Sequence, residues 1–117
     1  MQVEKLQEKA AVASALLKAM SNQYRLLILC QLVREERCVG ELEGLIGLSQ
    51  SALSQHLARL RRDALVKTRR SAQTIYYSLA GNDARAILET LSRLLCAPQS
   101  RGALDRARTG SKSVAAT

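Results

Sequence analysis

Three cysteines are the residues of this 117-residue chain with the widest chemistry open to them. Cys30 lies inside the apolar run LLILCQLV, Cys38 follows the charged run REER, and Cys96 ends the run RLLC. A thiolate can attack a disulfide or persulfide, be oxidised, or bind a soft metal ion. No two of the three form a C-x-x-C pair, so the spacing gives neither a zinc finger nor a disulfide framework. His56 is the only histidine, and there is no glycine-rich phosphate loop, so the pattern speaks against an enzyme. Taken by itself, Cys30 among leucines and isoleucine reads as a small packing residue.

The second chemistry is electrostatic. The net charge of +8 is zero over residues 1–56 and again over 71–97. It is concentrated in 57–70, where Arg59, Arg61, Arg62, Lys67, Arg69 and Arg70 face only Asp63, and in 98–117, where four basic residues face Asp105. A solvated basic face is the plain reading; one short focused patch points further, to a polyanionic partner.

Positioning these groups falls to a helical chain. Hydrophobic residues make up 47% of it, with no Trp or Phe and three Tyr, so the core must come from Leu, Ile, Val and Ala. Apolar spacing predicts a helix over Glu4–Met20, carrying Leu6, Ala10, Ala13, Leu17 and Met20. A second begins after Ser21 or Asn22 and sets Leu26, Leu29, Cys30 and Val33 on one stripe; a short third spans Gly40–Ile46. After the turn GLS, Ser49 caps a fourth helix over 50–62. The period then falls to 2 over residues 65–70 and 74–79, a β-hairpin with SAQ between its strands and at least one of Tyr76 and Tyr77 in the core. Gly81-Asn82-Asp83 opens a fifth helix that Pro98 closes. Residues 1–97 are expected to form one domain and 98–117 a disordered basic tail. No apolar run approaches the roughly 20 residues of a membrane span and the start lacks signal-peptide character, so a cytoplasmic protein is expected.

The fold class expected is mainly α with a small β-hairpin, a winged helix-turn-helix with the hairpin as wing. In the helix at 50–62, Leu53, Leu57 and Leu60 face inward, while Ser51, Ser54, Gln55, Ala58, Arg59 and Arg62 face out. Gln and Arg can read adenine and guanine edges, and short Ser and Ala let the backbone approach the groove floor. An ordinary surface helix favours Glu and Lys, which this one lacks. The expected DNA-contacting set is Gln50, Ser51, Ser54, Gln55, His56, Arg59 and Arg62 in this helix. Lys67, Arg69, Arg70 and Gln73 of the wing complete it. His56 falls at the edge of the apolar face, as a packing or phosphate-contacting residue.

The stretches LKAMSNQYRLLIL, VGELEGLIGLSQSALSQHLARLRRDALV and TRRSAQTIYYSL together resemble the ArsR/SmtB family of bacterial winged-helix repressors over residues 10–97. The resemblance implies a homodimer formed through the first and last helices that binds double-stranded operator DNA and leaves it when an inducer arrives. The family's metal sensors often carry Cys-Val-Cys at the start of the third helix, where this chain has CVG, or His with acidic residues on the fifth, which here has no His. No metal and no cofactor is therefore expected. LLILC and RLLC are similar to the two thiol contexts of the persulfide- and redox-sensing branch typified by BigR, SqrR and HlyU. That likeness implies a repressor of sulfide-detoxification genes. Its redox thiols would be Cys30 and Cys96, linked by a low-molecular-weight persulfide or another reactive sulfur species. Cys96, near a helix end, is expected to be the more accessible of the two, and Cys38 an auxiliary thiol. A same-fold repressor or anti-repressor answering to oxidants or to metal or metalloid ions is the alternative, and a constitutive architectural DNA-binding protein another. Ala64 stands where related proteins commonly have Gly to end the helix, which throws doubt on that turn.

Overall fold

In the computed structural model, residues 2–96 are described, excepting the side chain of Cys96. The expected tail, 98–117, lies outside them. The described residues fall into two compact units that divide after Arg85. Five helices are present among the described residues: α1 Val3–Met20, α2 Gln23–Arg34, α3 Val39–Ile46, α4 Gln50–Arg62 and α5 Asp83–Cys96. Three strands, β1 Arg37–Cys38, β2 Val66–Ser71 and β3 Thr74–Leu79, form an antiparallel sheet in the order β1-β3-β2. No described helix is long and apolar enough to cross a membrane.

Local chemistry sets most boundaries. The Asn22 side chain accepts the N–H groups of Tyr24 and Arg25 at 2.9 and 3.1 Å, which starts α2. Gly47, at φ 85°, ends α3, and Ser49 Oγ accepts the Ala52 N–H at 3.2 Å to start α4. The end of α4 is a Schellman motif: the Leu65 N–H donates to the Leu60 carbonyl and the Ala64 N–H to that of Arg61. Ala64 sits there at φ 61°, so the turn forms without the glycine it favours.

The core combines Ala19 and Met20 of α1, Ile28, Leu29 and Leu32 of α2, Leu42 of α3 and Leu53, Leu57 and Leu60 of α4. Leu65, Val66 and Leu79 close it beside the wing. Arg85 ties the first turn of α5 to the end of α2 through the Val33 carbonyl, 2.9 Å away. On α1, Val3, Leu6, Val12 and Leu17 stay exposed.

Three expectations need correction. The hairpin turn is two residues, Ala72 and Gln73, because Ser71 still pairs with Thr74; Ala72 takes the positive φ of 57°. Neither Tyr76 nor Tyr77 is buried; both lie half-exposed, since the sheet is one layer thick at the wing. A third strand joins the hairpin, with Arg37 opposite Tyr77 and Cys38 opposite Tyr76.

Candidate nucleic-acid interface and thiol sites

Helix α4 is fixed from beneath and free above. Leu53, Leu57 and Leu60 are at most 1% exposed, which fixes the rotation of α4 about its axis. Gln50, Ser51, Ser54, Gln55 and Arg62 consequently point to solvent. Arg59 and His56 lie at the flanks, half-buried. The His56 ring is 6.0 Å from that of Tyr24, so His56 packs at the edge of the helix as its position in the pattern suggested. Arg59 Nε donates to Asp63 Oδ2 at 2.8 Å, one helical turn on. A surface depression beside α4 is lined by Ser54, Ala58, Arg61, Arg62 and Tyr77. Arg61 and Tyr77 were absent from the expected set. The spacing of Ser54, Ala58, Arg61 and Arg62 at i, i+4, i+7 and i+8 puts Arg61 on the same side, a signal available in the sequence.

The wing carries Lys67, Arg69, Arg70 and Gln73, all exposed. Arg69 differs from the others in having protein partners for its guanidinium. Its Nε lies 3.0 and 2.9 Å from the two carboxylate oxygens of Glu36, its Nη2 donates to Glu36 Oε1, and its guanidinium carbon sits 4.6 Å from the centre of the Tyr76 ring. These bonds from Arg69 hold the Glu36 carboxyl below the usual carboxylate range. Glu36 was missed because the strand that brings its segment to β3 is only two residues long.

The thiols lie apart from this surface chemistry in kind. Cys30 is exposed, which corrects the stripe expected on α2. Ile28, Leu29 and Leu32 turn inward instead, and at about 100° per residue Cys30 falls roughly 150° from the middle of that face. Leu26 and Val33 are half-buried beside it, and partial desolvation pushes the Cys30 thiol above its ordinary pKa. Cys38, half-buried, precedes α3, and its N–H donates to Glu41 Oε1 at 3.0 Å. That backbone bond is the main reason the Glu41 carboxyl titrates low. Cys96 is the last residue of α5, and its side chain lies outside the described residues, so the expected greater accessibility of Cys96 has no counterpart here.

Residues 22–68 match the model of the bacterial regulatory protein, arsR family. The transcriptional activator HlyU of Vibrio cholerae is 52% identical over 96 residues, 82% of this chain and 89% of the relative. The structure of reduced HlyU from Vibrio cholerae is similar with a TM-score of 0.77, over 80% of this chain and 99% of that one. The transcriptional repressor BigR from Xylella fastidiosa gives 0.76 at 39% identity, over 83% and 99%. A homodimeric winged helix-turn-helix DNA-binding domain from Mycobacterium bovis gives 0.70 at 26% identity, over 80% and 87%.

Proposed function

The chain belongs to the ArsR family of bacterial regulatory proteins, DNA-binding winged helix-turn-helix regulators, and from that premise we propose a thiol-gated repressor. It is a cytoplasmic homodimer that holds operator DNA while Cys30 and Cys96 are reduced and lets go when they are linked. The observation that carries this reading is the exposure of Cys30 on α2, because a thiol must be reachable to react with a small persulfide. A relative solved in a reduced form supports a redox-dependent state; BigR supports the sign of regulation, whereas HlyU is by name an activator.

DNA binding divides by element. Gln50, Ser51, Ser54 and Gln55 face the major groove from the start of α4, with Arg59 and Arg62 behind them and His56 at the edge. Lys67, Arg69, Arg70 and Gln73 of the wing meet phosphates and the adjoining minor groove. Dimerisation through α1 and α5 covers the apolar residues each leaves exposed, Val3, Leu6, Val12 and Leu17 on the first and Leu94 and Leu95 on the second. That the similar domain from Mycobacterium bovis is homodimeric supports a dimer, and the choice of α1 and α5 rests on these exposed residues.

The linking reaction balances with a low-molecular-weight persulfide, RS–SH, as oxidant. The Cys30 thiolate attacks the terminal sulfur, the S–S bond breaks, and RS⁻ leaves as a thiol after taking a proton. Cys30 then carries a persulfide. The Cys96 thiolate attacks the inner sulfur of that group and expels hydrosulfide, leaving a disulfide. Two cysteine thiols are oxidised by two electrons, and the sulfane sulfur of the persulfide is reduced to sulfide. If Cys96 is itself persulfidated, the same displacement leaves a three-sulfur bridge.

Cys30→Ser and Cys96→Ser variants test the pair. Each should bind operator DNA as the reduced wild type does and stay bound after persulfide treatment, measured by mobility shift. Normal release of either variant would dismiss the Cys30–Cys96 pair.

A further inference from the structure

We propose that Glu36 is a positioning residue for DNA binding: with Tyr76 behind, it holds the Arg69 guanidinium in one orientation before DNA arrives. The inference rests on the reading above that the wing meets the DNA backbone.

Sheet register assembles the group. Cys38, Tyr76 and Arg69 are cross-strand partners on β1, β3 and β2, so their side chains emerge on one face. Glu36, two residues before Cys38, continues that face and reaches Arg69 across 33 residues of sequence. The Arg59–Asp63 pair is different, because an i, i+4 pair is what a helix brings together without further purpose. Nothing local brings Glu36 to Arg69.

The geometry leaves the arginine useful. Nε and Nη2 are engaged by Glu36, while Nη1 has no protein partner among the described residues. The Arg69 side chain is 55% exposed and that of Glu36 35%, so the guanidinium is the outward member and the carboxylate its backing. A planar fork held on one edge by a carboxylate and on one face by a ring can still offer its other edge to a phosphate.

A carboxylate near DNA also repels phosphate, and the two effects have opposite signs. Across the width of a guanidinium, in water and at physiological salt, the repulsion weakens binding by less than about twofold. Ordering a long side chain in advance strengthens binding by about 2- to 12-fold. Positioning therefore wins.

The test uses the full chain and a duplex selected from random-sequence DNA by the wild-type protein, with affinity read by fluorescence anisotropy over a range of salt. Glu36→Gln should weaken binding about 3-fold, with its melting temperature unchanged and Glu36→Asp recovering part of the loss. In an Arg69→Ala background the same exchange should no longer weaken binding and should strengthen it by up to about twofold, since only the repulsion of the carboxylate is left to remove. Arg69→Ala alone should lower the salt slope by about 1, the signature of one lost phosphate contact. Glu36→Gln binding as tightly as wild type or more tightly overturns the proposal, as does equal weakening with and without Arg69. If Arg69→Ala leaves affinity and slope unchanged, the wing contact itself is wrong and the proposal falls with it. If the wild type selects no duplex, DNA recognition by this chain fails first.

Discussion

Ala64→Gly should stabilise this protein, although the same exchange within a helix would cost about 1 kcal/mol. Ala64 occupies the left-handed position of the Schellman motif that ends α4, at φ 61°. An L-residue with a Cβ pays about 1–2 kcal/mol in that region, and glycine is spared it. Against this, glycine loosens the unfolded chain, which costs about 0.4–1 kcal/mol. The alanine methyl belongs to an exposed residue, so little burial is lost with it. The balance runs from about zero to a gain of about 1.6 kcal/mol, centred on about 0.8 kcal/mol, or roughly 3–6 °C in melting temperature for a domain of this size. Thermal and urea unfolding of both proteins at equal concentration measure it, since self-association would make stability depend on concentration. A variant that melts below the wild type would refute the claim that strain is stored at this turn.

Two further outcomes follow from the packing and titration of named groups. Leu57→Ala, at a site 1% exposed, should cost about 2–5 kcal/mol by urea denaturation; a loss under about 1 kcal/mol would show that Leu57 does not anchor α4. The raised Cys30 pKa means the folded state disfavours the thiolate. Its contribution to stability is therefore intact below the unfolded pKa and is lost as pH rises through the folded one. In a Cys38→Ser/Cys96→Ser variant, the rate of Cys30 alkylation should reach half its maximum at a higher pH than a free cysteine does, and an equal or lower midpoint would contradict the desolvation seen at this site.

What could be read without coordinates depended on how sharply each segment contrasts its faces. Helix α4 was legible to its ends because three leucines at helical spacing oppose polar side chains, and Ser49 supplies a cap. Helix α2 was legible as a helix but not in its rotation. The run LLILCQLV is apolar on nearly every side, so periodicity could not choose between the face of Cys30 and that of Ile28 and Leu32. Strand β1 has two residues, one charged, and exists because β3 offers it an edge; no alternation announces it. The hairpin turn is one residue shorter than SAQ because Ala72 adopts a positive φ that its side chain does not advertise. The pairing of Glu36 with Arg69 depends on that short strand and its register with the hairpin, and so was not legible either.

Gating by the two thiols is tested most directly by following DNA occupancy and covalent state in the same persulfide titration of the wild-type protein. Intact-mass and peptide mass spectrometry should show a Cys30–Cys96 bridge accumulating in proportion to the DNA released, and a thiol reductant should reverse both together. Release with Cys30 and Cys96 still unlinked, or full linkage with the DNA still bound, would contradict it.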